Sequence, residues 1–316
     1  MPFPNASDPH PSFLLASLPG PEGAQASLAA LLCGAYALAV AGNGAVLLAV
    51  RLEPGLHTPM YLLLCMLAAL DLALATSAVP RALAFYWLGA REIGFGACLL
   101  QMFLIHALSA AESAVLLAMA VDRYVAVCHP LRHAAVLTNT HTARLGLAAL
   151  ARGALFFLPL PLLLLPLPFC GSRALSHSFC LHQDVMNLAC ANTAPSVVYG
   201  LAAVLLVMGL DAVLICLSYL LILGAVLRLR ARRERLKVFG TCVAHVCAVL
   251  AFYVPLIGLS LVHRFGRDLA PLVHVTMGNV YILVPAVLNP IIYGVRTKQI
   301  RRRILSLIRV GDRSSQ

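Results

Sequence analysis

The sequence has little charge for its length. Only 11% of its 316 residues are Asp, Glu, Lys or Arg, whereas 61% are hydrophobic. A soluble domain of this size would need more charge on its exterior and would bury less apolar surface. The composition therefore argues against a soluble helical protein and indicates a chain immersed in a membrane.

We expect neither a domain linker nor a cleavable leader in this sequence. No low-complexity segment interrupts it, so we predict a single domain over residues 1–316. Residues 1–27 are polar and rich in proline, which is not the pattern of a cleavable signal peptide. We expect the first apolar segment to serve as its own insertion signal.

Seven apolar segments recur along the chain, each long enough to cross a bilayer as a helix of roughly 20 residues. They lie near 28–50, 60–80, 97–121, 143–167, 197–227, 238–262 and 272–295. We predict an all-α fold, a seven-transmembrane helix bundle over 28–295. Residues 1–27 are expected outside the cell and 296–316 form a cytoplasmic tail.

The cations give this bundle an orientation. Of the 23 Lys and Arg residues, 17 fall in the loops near 51–58, 122–144 and 228–237 or in the tail from 296. The positive-inside rule makes that side cytoplasmic. The net charge of +11 then indicates topology and attraction to anionic lipid, not nucleic-acid binding. Asn5, in a glycosylation sequon, falls on the opposite, extracellular side.

The ten cysteines have no metal-ligand spacing, alone or with the histidines. Four of them lie on the oxidising face and permit three pairings. We expect Cys98–Cys180, which would pin the loop between the fourth and fifth spans over the bundle, and Cys170–Cys190, which would fold that loop on itself. The other six are predicted to be small buried hydrophobic residues.

Three acidic residues fall inside predicted spans, where charge is costly and usually functional. Asp71 and Glu112 lie midway along the second and third spans, so they are expected to share either a sodium ion or a proton. Asp211 in the fifth span has no partner that the sequence identifies.

Asp122 and Arg123 follow directly after the third apolar segment, in AMAVDRYVAVCHPL. Arg123 can anchor the helix end in lipid headgroups or pair with Asp122. A guanidinium held by one carboxylate in one state and passed to another partner in a second state would act as a switch. Pro255 and Pro290 permit bends in the sixth and seventh spans, and so two shapes of the bundle.

Several motifs are spread over essentially the whole chain: Gly42-Asn43, LHTPMYLLLCMLAALDL (56–72), MAVDRYVAVCHPL (119–131), Ser218-Tyr219, LKVFGTCVAH (236–245) and PAVLNPIIYGVRTKQIR (285–301). Together they resemble the odorant receptors, which are rhodopsin-type G-protein-coupled receptors. The loop motifs LPFC, LSHSFCLHQD and LAC, with HRFG at 263–266, resemble the class I, fish-like branch.

The sequence departs from the family pattern at a few positions. Val121 and Val127 stand within the DRY segment, and Gly240 and Ala244 replace small hydroxyl residues in the sixth span. Ala286 replaces a frequent proline. The lost hydroxyls bear on how tightly the inner half of the sixth helix is held in the inactive state, and hence on basal activity. They do not alter the resemblance to the family.

The resemblance implies a plasma-membrane receptor, in sensory-neuron cilia, that binds an odorant and activates the stimulatory olfactory heterotrimeric G protein. It implies no enzymatic activity and no cofactor beyond the sodium ion considered above. The residues expected to form the G-protein switch are Asp122, Arg123, Tyr124, Tyr219, Asn289, Pro290 and Tyr293. Ile300, Ile304, Leu307 and Ile308 predict an amphipathic helix on the inner leaflet over 296–310.

The resemblance also implies a ligand pocket in the outer half of the bundle, beneath the second outer loop. Helical spacing groups two sets of residues on shared faces of the third and sixth spans. With apolar wall from the fourth span and a lid from the loop, the predicted lining is His106, Ala110, Ser113, Phe157, Leu160, His182, Gln183, Tyr253, Ile257, Ser260 and Arg264.

Arg264 is the predicted anchor of this pocket. A guanidinium can bind a carboxylate through two hydrogen bonds, and the class I branch is associated with hydrophilic odorants that include carboxylic acids. The alternative is that Arg264 only reaches for the headgroups or pairs with Asp268.

Two other function classes use polar residues inside membrane spans. A transporter or channel would use the intramembrane acids as an ion path, but the matching halves with broken helices that such folds contain are not found in the sequence. An intramembrane hydrolase would need a nucleophile beside His106, His245 or His274, and spacing identifies none.

Overall fold

The computed structural model describes residues 12–15, 22–228, 231–266, 269–297 and 299–306. Its long helices are Glu22–Leu52, Pro59–Leu88, Phe95–Cys128, Asn139–Phe157, Ala194–Val204, Leu210–Arg228, Arg232–Phe265 and Pro271–Arg296. Pro159–Leu164 prolongs the helix Asn139–Phe157. A π-helical turn, Leu205–Gly209, joins Ala194–Val204 to Leu210–Arg228. Short helices cover Pro130–Val136, His182–Met186 and 299–306.

Seven segments of these helices are long and apolar enough to cross a bilayer. They are Gln25–Leu52, Pro59–Leu88, Phe95–Cys128, Asn139–Leu164, Ala194–Arg228, Val238–Phe265 and Pro271–Gly294, here the first to seventh spans. The predicted all-α bundle of seven helices is confirmed. The third span lies at its centre, against the second, fourth and fifth, whereas the sixth packs chiefly along the seventh.

The predicted end of the second span was wrong. The prediction stopped at residue 80, but the helix passes through Pro80 and runs to Leu88. A helix in such a bundle tolerates an internal proline because neighbouring helices can satisfy the backbone groups that the proline leaves unpaired. The chain stops at Gly89, whose positive φ of 65° suits glycine and whose N–H bonds to the Phe85 carbonyl as a C-cap.

The loop predicted at 122–144 is also mostly helical. The third span continues to Cys128, so Asp122 and Arg123 lie inside its last two turns and not beyond its end. The fourth span begins at Asn139, where the Thr138 side chain accepts a hydrogen bond from the His141 N–H at 3.2 Å. It ends at Leu164, three residues before the predicted boundary.

A two-stranded sheet was not predicted. Strand β1, Phe13–Leu14, pairs antiparallel with β2, Glu92–Ile93, between the second and third spans. The Leu14 N–H also donates to the Arg173 carbonyl at 2.8 Å. The N-terminal segment is thereby tied to both neighbouring loops at one end of the bundle.

Two disulfides lie at that same end, here called the outer end. Cys98–Cys180 fastens the loop between the fourth and fifth spans to the start of the third, and Cys170–Cys190 closes that loop on itself. These are the two pairings that the sequence analysis expected. In addition, the Cys180 N–H donates to Gln101 Oε1 at 2.9 Å. The loop therefore forms a fixed cover over the outer cavity.

A short helix at 299–306 lies at the opposite, inner end. Ile300 is buried in the main core, Ile304 packs against that core, and Tyr61 donates to Gln299 Oε1 at 2.6 Å. Arg301 and Arg302 are exposed on its other side. The predicted amphipathic C-terminal helix is therefore present. Leu307 and Ile308 lie outside the described residues.

Candidate functional site

A cavity of about 380 Å³ lies between the outer halves of the third to seventh spans. It lies under the loop between the fourth and fifth spans, here called the covering loop. The predicted residues that line it are His106, Phe157, Leu160, His182, Gln183, Tyr253, Ile257, Ser260 and Arg264. Most of the other lining residues are apolar, including Leu181, Met186, Leu201, Val204, Leu205, Met208 and Leu256. An apolar chamber with a few polar groups is the usual form of a small-ligand site.

Two predicted lining residues, Ala110 and Ser113, are not among the cavity residues. Ser113 lies one turn deeper than Ser109, and its hydroxyl donates to Asp211 Oδ2 at 2.7 Å and contacts Tyr253 Oη at 2.8 Å. The Ala110 carbonyl accepts from Arg152 Nη2 at 3.3 Å. Shared helical face predicted the direction of these residues correctly but not their depth, because both belong to the layer below the cavity.

That layer is a polar network across four spans. Arg152 in the fourth span pairs through both terminal nitrogens with Asp211 in the fifth, which is buried. Tyr253 in the sixth span donates to the carbonyl of Met208 at 3.2 Å, and Met208 lies within the π-helical turn. Because Tyr253 also lines the cavity, the network forms the cavity floor. It supplies the partner for Asp211 that sequence reasoning did not find.

The cavity rim holds Arg264 and Ser260, on the outer end of the sixth span. Both side chains are exposed, and the Ser260 hydroxyl donates to the Leu256 carbonyl at 2.8 Å. Within the described ranges, no carboxylate lies at ion-pair distance from Arg264. Asp268, the alternative partner, lies outside those ranges.

His182 and Gln183 hang from the covering loop into the cavity. The imidazole of His182 fits against Gly200, where an added Cβ would lie 3.2 Å from the ring. Burial lowers the pKa of His182 to about 3, with a smaller contribution from nearby His106. His182 is therefore neutral at physiological pH, and its buried Nε2 has no partner among the described residues, so it is available to a hydrogen-bonding ligand.

Asp71 and Glu112 are both fully buried between the second, third and seventh spans. Asn289 donates to Asp71 Oδ2 at 2.9 Å. Among the described residues, Asp71 Oδ1, both Glu112 oxygens and Asn289 Oδ1 have no hydrogen-bond partner. The two carboxyl groups are close enough that a proton on either would be shared between them, and carboxylate and amide oxygens are also the ligand type that a hard cation prefers.

At the inner end, Asp122 holds Arg123 through hydrogen bonds of 3.0 Å to Nε and 2.6 Å to Nη2. The other carboxylate oxygen lies 3.0 Å from His133 Nε2. Nearby, the Tyr219 hydroxyl lies 2.6 Å from His245 Nδ1 and so links the fifth and sixth spans.

The other predicted switch residues are distributed around this end. Tyr124 Oη lies 3.4 Å from His129 Nε2, and buried Tyr293 has no hydroxyl partner in the described part of the chain. Pro290 packs against Gly42, where an added Cβ would lie 2.9 Å from Pro290 Cγ.

Sequence reasoning missed Arg152, Ser109 and Tyr281. Tyr281 donates to Ser109 Oγ at 2.5 Å, which joins the seventh span to the third beside the cavity. Arg152 carried a usable signal, since it is a cation inside a predicted span and would need a buried acid. Ser109 and Tyr281 carried no such signal, because nothing in the sequence predicts a contact between two hydroxyl residues that are far apart along the chain.

Comparisons with known proteins agree on one family. A family model described as "Olfactory receptor" matches residues 32–310. The curated protein "Olfactory receptor 51E2" of Rattus norvegicus is 61% identical over 302 residues, covering 96% of this chain and 94% of that protein. "Olfactory receptor 51E1" of Homo sapiens is 55% identical over 304 residues, covering 96% and 95%. Squid rhodopsin is similar in fold, with a TM-score of 0.74 at 15% identity, covering 92% of this chain and 89% of that one.

Proposed function

Because this chain belongs to the olfactory receptor family, we propose that it detects a small carboxylic acid in the outer cavity and activates a stimulatory heterotrimeric G protein. The chain is a multi-pass membrane receptor of the G-protein-coupled class and not an enzyme.

The observation that carries the proposal is the guanidinium of Arg264 at the rim of an apolar cavity. Within the described residues Arg264 has no carboxylate partner, and Ser260 lies one turn below it on the same cavity wall. A charge-assisted hydrogen bond contributes about 1.5–3 kcal/mol. A ligand of few atoms gains little from apolar contact alone, so this anchor would dominate its affinity.

The rest of the cavity fits the remainder of such a ligand. Phe157, Leu160 and Ile257 offer apolar wall to its carbon chain. His182 is neutral, so it offers a hydrogen bond without a second charge. Arg264 is thus the cation that favours an ionised acid over an alcohol or an ester of the same length.

Binding at the rim would act on the sixth span, which carries Arg264, Ser260 and Tyr253. A ligand shifts a conformational equilibrium only by binding one state better. We infer that contact at the rim favours a bend near Pro255 and an outward movement of the inner end of this span. Arg123 would then leave Asp122 and meet the G protein, while Tyr219 and Tyr293 stabilise the opened form.

A sodium ion between Asp71, Glu112 and Asn289 is a further part of the proposal. The unpartnered oxygens of these buried side chains would otherwise carry an uncompensated cost of burial. The ion would brace the second, third and seventh spans in the resting state. The alternative is a protonated pair of acids that share a hydrogen bond.

The proposed setting is the plasma membrane of sensory-neuron cilia, with the N-terminus and a glycan on Asn5 outside the cell. The family and the distribution of Lys and Arg support this orientation. Asn5 itself lies outside the described residues.

A cyclic-AMP reporter in cells that deliver the receptor to their surface tests the proposal. Short- and medium-chain carboxylic acids should activate it, and their alcohols and methyl esters should not. Arg264→Ala should raise the half-maximal acid concentration about 10- to 100-fold, whereas Arg91→Ala, which removes an exposed cation at the same end, should not. An unchanged acid response in Arg264→Ala at equal surface level would refute the anchor.

A further inference from the structure

Three histidines from three separate elements meet at the outer end, beside the cavity. His177 belongs to the covering loop, His263 to the end of the sixth span, and His274 to the start of the seventh. The ring centre of His177 lies 4.7 Å from that of His263 and 5.9 Å from that of His274. The loop and both spans are therefore joined at this point by imidazole rings.

Two of these rings have a fixed outer partner. His177 Nδ1 lies 3.1 Å from Asp184 Oδ2, and His274 Nε2 lies 3.0 Å from the Gly266 carbonyl oxygen. Both partners are acceptors, so those two nitrogens carry the protons. The remaining nitrogens, His177 Nε2 and His274 Nδ1, then present lone pairs.

The nitrogens left over by these contacts are buried. His177 Nε2, His274 Nδ1 and His263 Nε2 all lack a hydrogen-bond partner in the described part of the protein. His177 is 1% exposed and is wedged against the seventh span, where a Cβ on Gly278 would lie 2.9 Å from its ring. Buried polar atoms are normally satisfied, so three such atoms in one cluster require an explanation.

We propose that His177, His263 and His274 bind a divalent transition metal ion, of which Zn²⁺ is the representative. Neutral imidazole is a preferred ligand of this class of ion, and three histidines leave one position for water. The carboxylate of Asp184 and the carbonyl of Gly266 act as the outer partners that orient metal-bound histidines and raise their basicity. This site adjoins the carboxylate anchor on Arg264, because His263 also lines the cavity, but it uses different side chains.

The rings must turn slightly to close on the ion. Among the described residues, no three His, Cys, Asp or Glu groups already surround one common ion position. Because a zinc–nitrogen bond is about 2.0–2.1 Å long, rings on one ion have centres roughly 5 Å apart. The observed spacings of 4.7 and 5.9 Å are close to that value. Rotation of the His263 ring about its broad terminal torsion would supply the rest while the outer partners of His177 and His274 are kept.

Metal binding would have a structural consequence at the cavity. The ion would fasten the loop that carries His182 and Gln183 to the sixth span, one residue from Arg264. The site does not depend on the identity of the odorant, so it stands or falls separately from the proposed function.

Purified receptor in detergent provides the test. Zn²⁺ should raise the temperature of thermal unfolding, EDTA should reverse the rise, and Mg²⁺, which prefers oxygen ligands, should not reproduce it. His263→Asn and His274→Asn should each weaken the apparent Zn²⁺ affinity at least tenfold. His141→Asn, which changes an exposed histidine at the inner end, is the matched control.

Visible absorption of bound Co²⁺ gives a second readout, because its spectrum reports nitrogen ligands directly. The wild type should show this spectrum, and the double variant His263→Asn/His274→Asn should not. No Zn²⁺ effect on the wild type, or an equal effect on the double variant, would overturn the proposal.

Discussion

Asp211 in the fifth span accepts a hydrogen bond from Arg152 Nη1 in the fourth at 2.8 Å. This pair lies directly under the cavity, and through Ser113 it reaches Tyr253 of the sixth span. A ligand that presses on Tyr253 therefore acts on a charged network and not on an apolar floor. The same network makes the bundle sensitive to the loss of any one charge.

Removing Arg152 should destabilise the receptor. Arg152→Ala leaves the buried Asp211 carboxylate without its cation, a loss that costs about 3–5 kcal/mol for a buried pair. The Arg152 side chain is 29% exposed, so we expect the lower end of that range. Thermal unfolding and surface level measure the effect. The double variant Arg152→Met/Asp211→Leu should recover part of the loss, and a double variant no better than the single one would contradict this account.

Packing of the third span against the fourth depends on a glycine. A Cβ on Gly153 would lie 2.3 Å from the Ala107 carbonyl oxygen, a backbone atom that cannot move away alone. Gly153→Ala should therefore lower stability by about 1–3 kcal/mol through overpacking. Gly224→Ala, at a helical glycine with no other atom within 4 Å of the added Cβ, is the matched control and should be neutral or slightly stabilising. Equal unfolding temperatures for the two variants would show that the helices separate easily.

Burial of His182 should give stability a pH dependence. Its folded pKa of about 3 lies below the ordinary histidine value of about 6.5. Between those values the unfolded chain binds a proton that the folded chain does not, so stability falls as the pH drops through this window. His182→Gln removes that contribution.

The unfolding temperature of the wild type relative to His182→Gln should therefore decline from pH 7 to pH 4.5. Gln183→Ala changes a neighbouring cavity residue that does not titrate, and its difference from the wild type should stay constant over the same range. A constant offset for both variants would contradict the burial of His182.

The hold of Asp122 on Arg123 should limit signalling without odorant. Asp122→Asn removes the charge that holds the guanidinium and also the contact with His133. We expect a several-fold rise in basal cyclic AMP at equal surface level. Glu53→Gln neutralises an exposed acid at the same end and is the control. An unchanged basal level would mean that Arg123 is restrained by other contacts.

A sodium ion at Asp71 and Glu112 should make the acid response depend on Na⁺. Replacing Na⁺ by a large organic cation should increase agonist potency, because the ion braces the resting state. Asp71→Asn should abolish this dependence while the receptor still reaches the surface. If Na⁺ replacement changes nothing in the wild type, the two acids hold a proton instead.

The seven spans could be predicted because each depends on a local run of apolar residues. The end of the second span could not be predicted, because Pro80 suggests a helix end but is tolerated inside this helix. The helix ends instead at Leu88, with Gly89 as its C-cap. The strand at Phe13–Leu14 was missed because two residues carry no period. Its partner near Glu92 is defined only once the bundle brings the loops together.

For the candidate site, helical spacing identified which side chains share a face but not their depth or their partners. Arg264 and Ser260 line the cavity, whereas the Ser113 hydroxyl donates to Asp211 in the layer below it. The histidine cluster is a stronger example. His177 and His263 lie 86 positions apart in the numbering, so only the folded chain reveals that their rings meet.

The sixth span packs along the seventh and approaches the fifth at few points, among them the Tyr219–His245 and Tyr253–Met208 hydrogen bonds. Moving its inner end outward therefore breaks few contacts, and we expect two positions of this span to be close in free energy. A ligand of a few atoms, whose binding free energy is small, is then enough to change the ratio of the populations of these two positions. Sensitivity to low odorant concentrations and measurable signalling without odorant would both follow from the limited contact between the fifth and sixth spans.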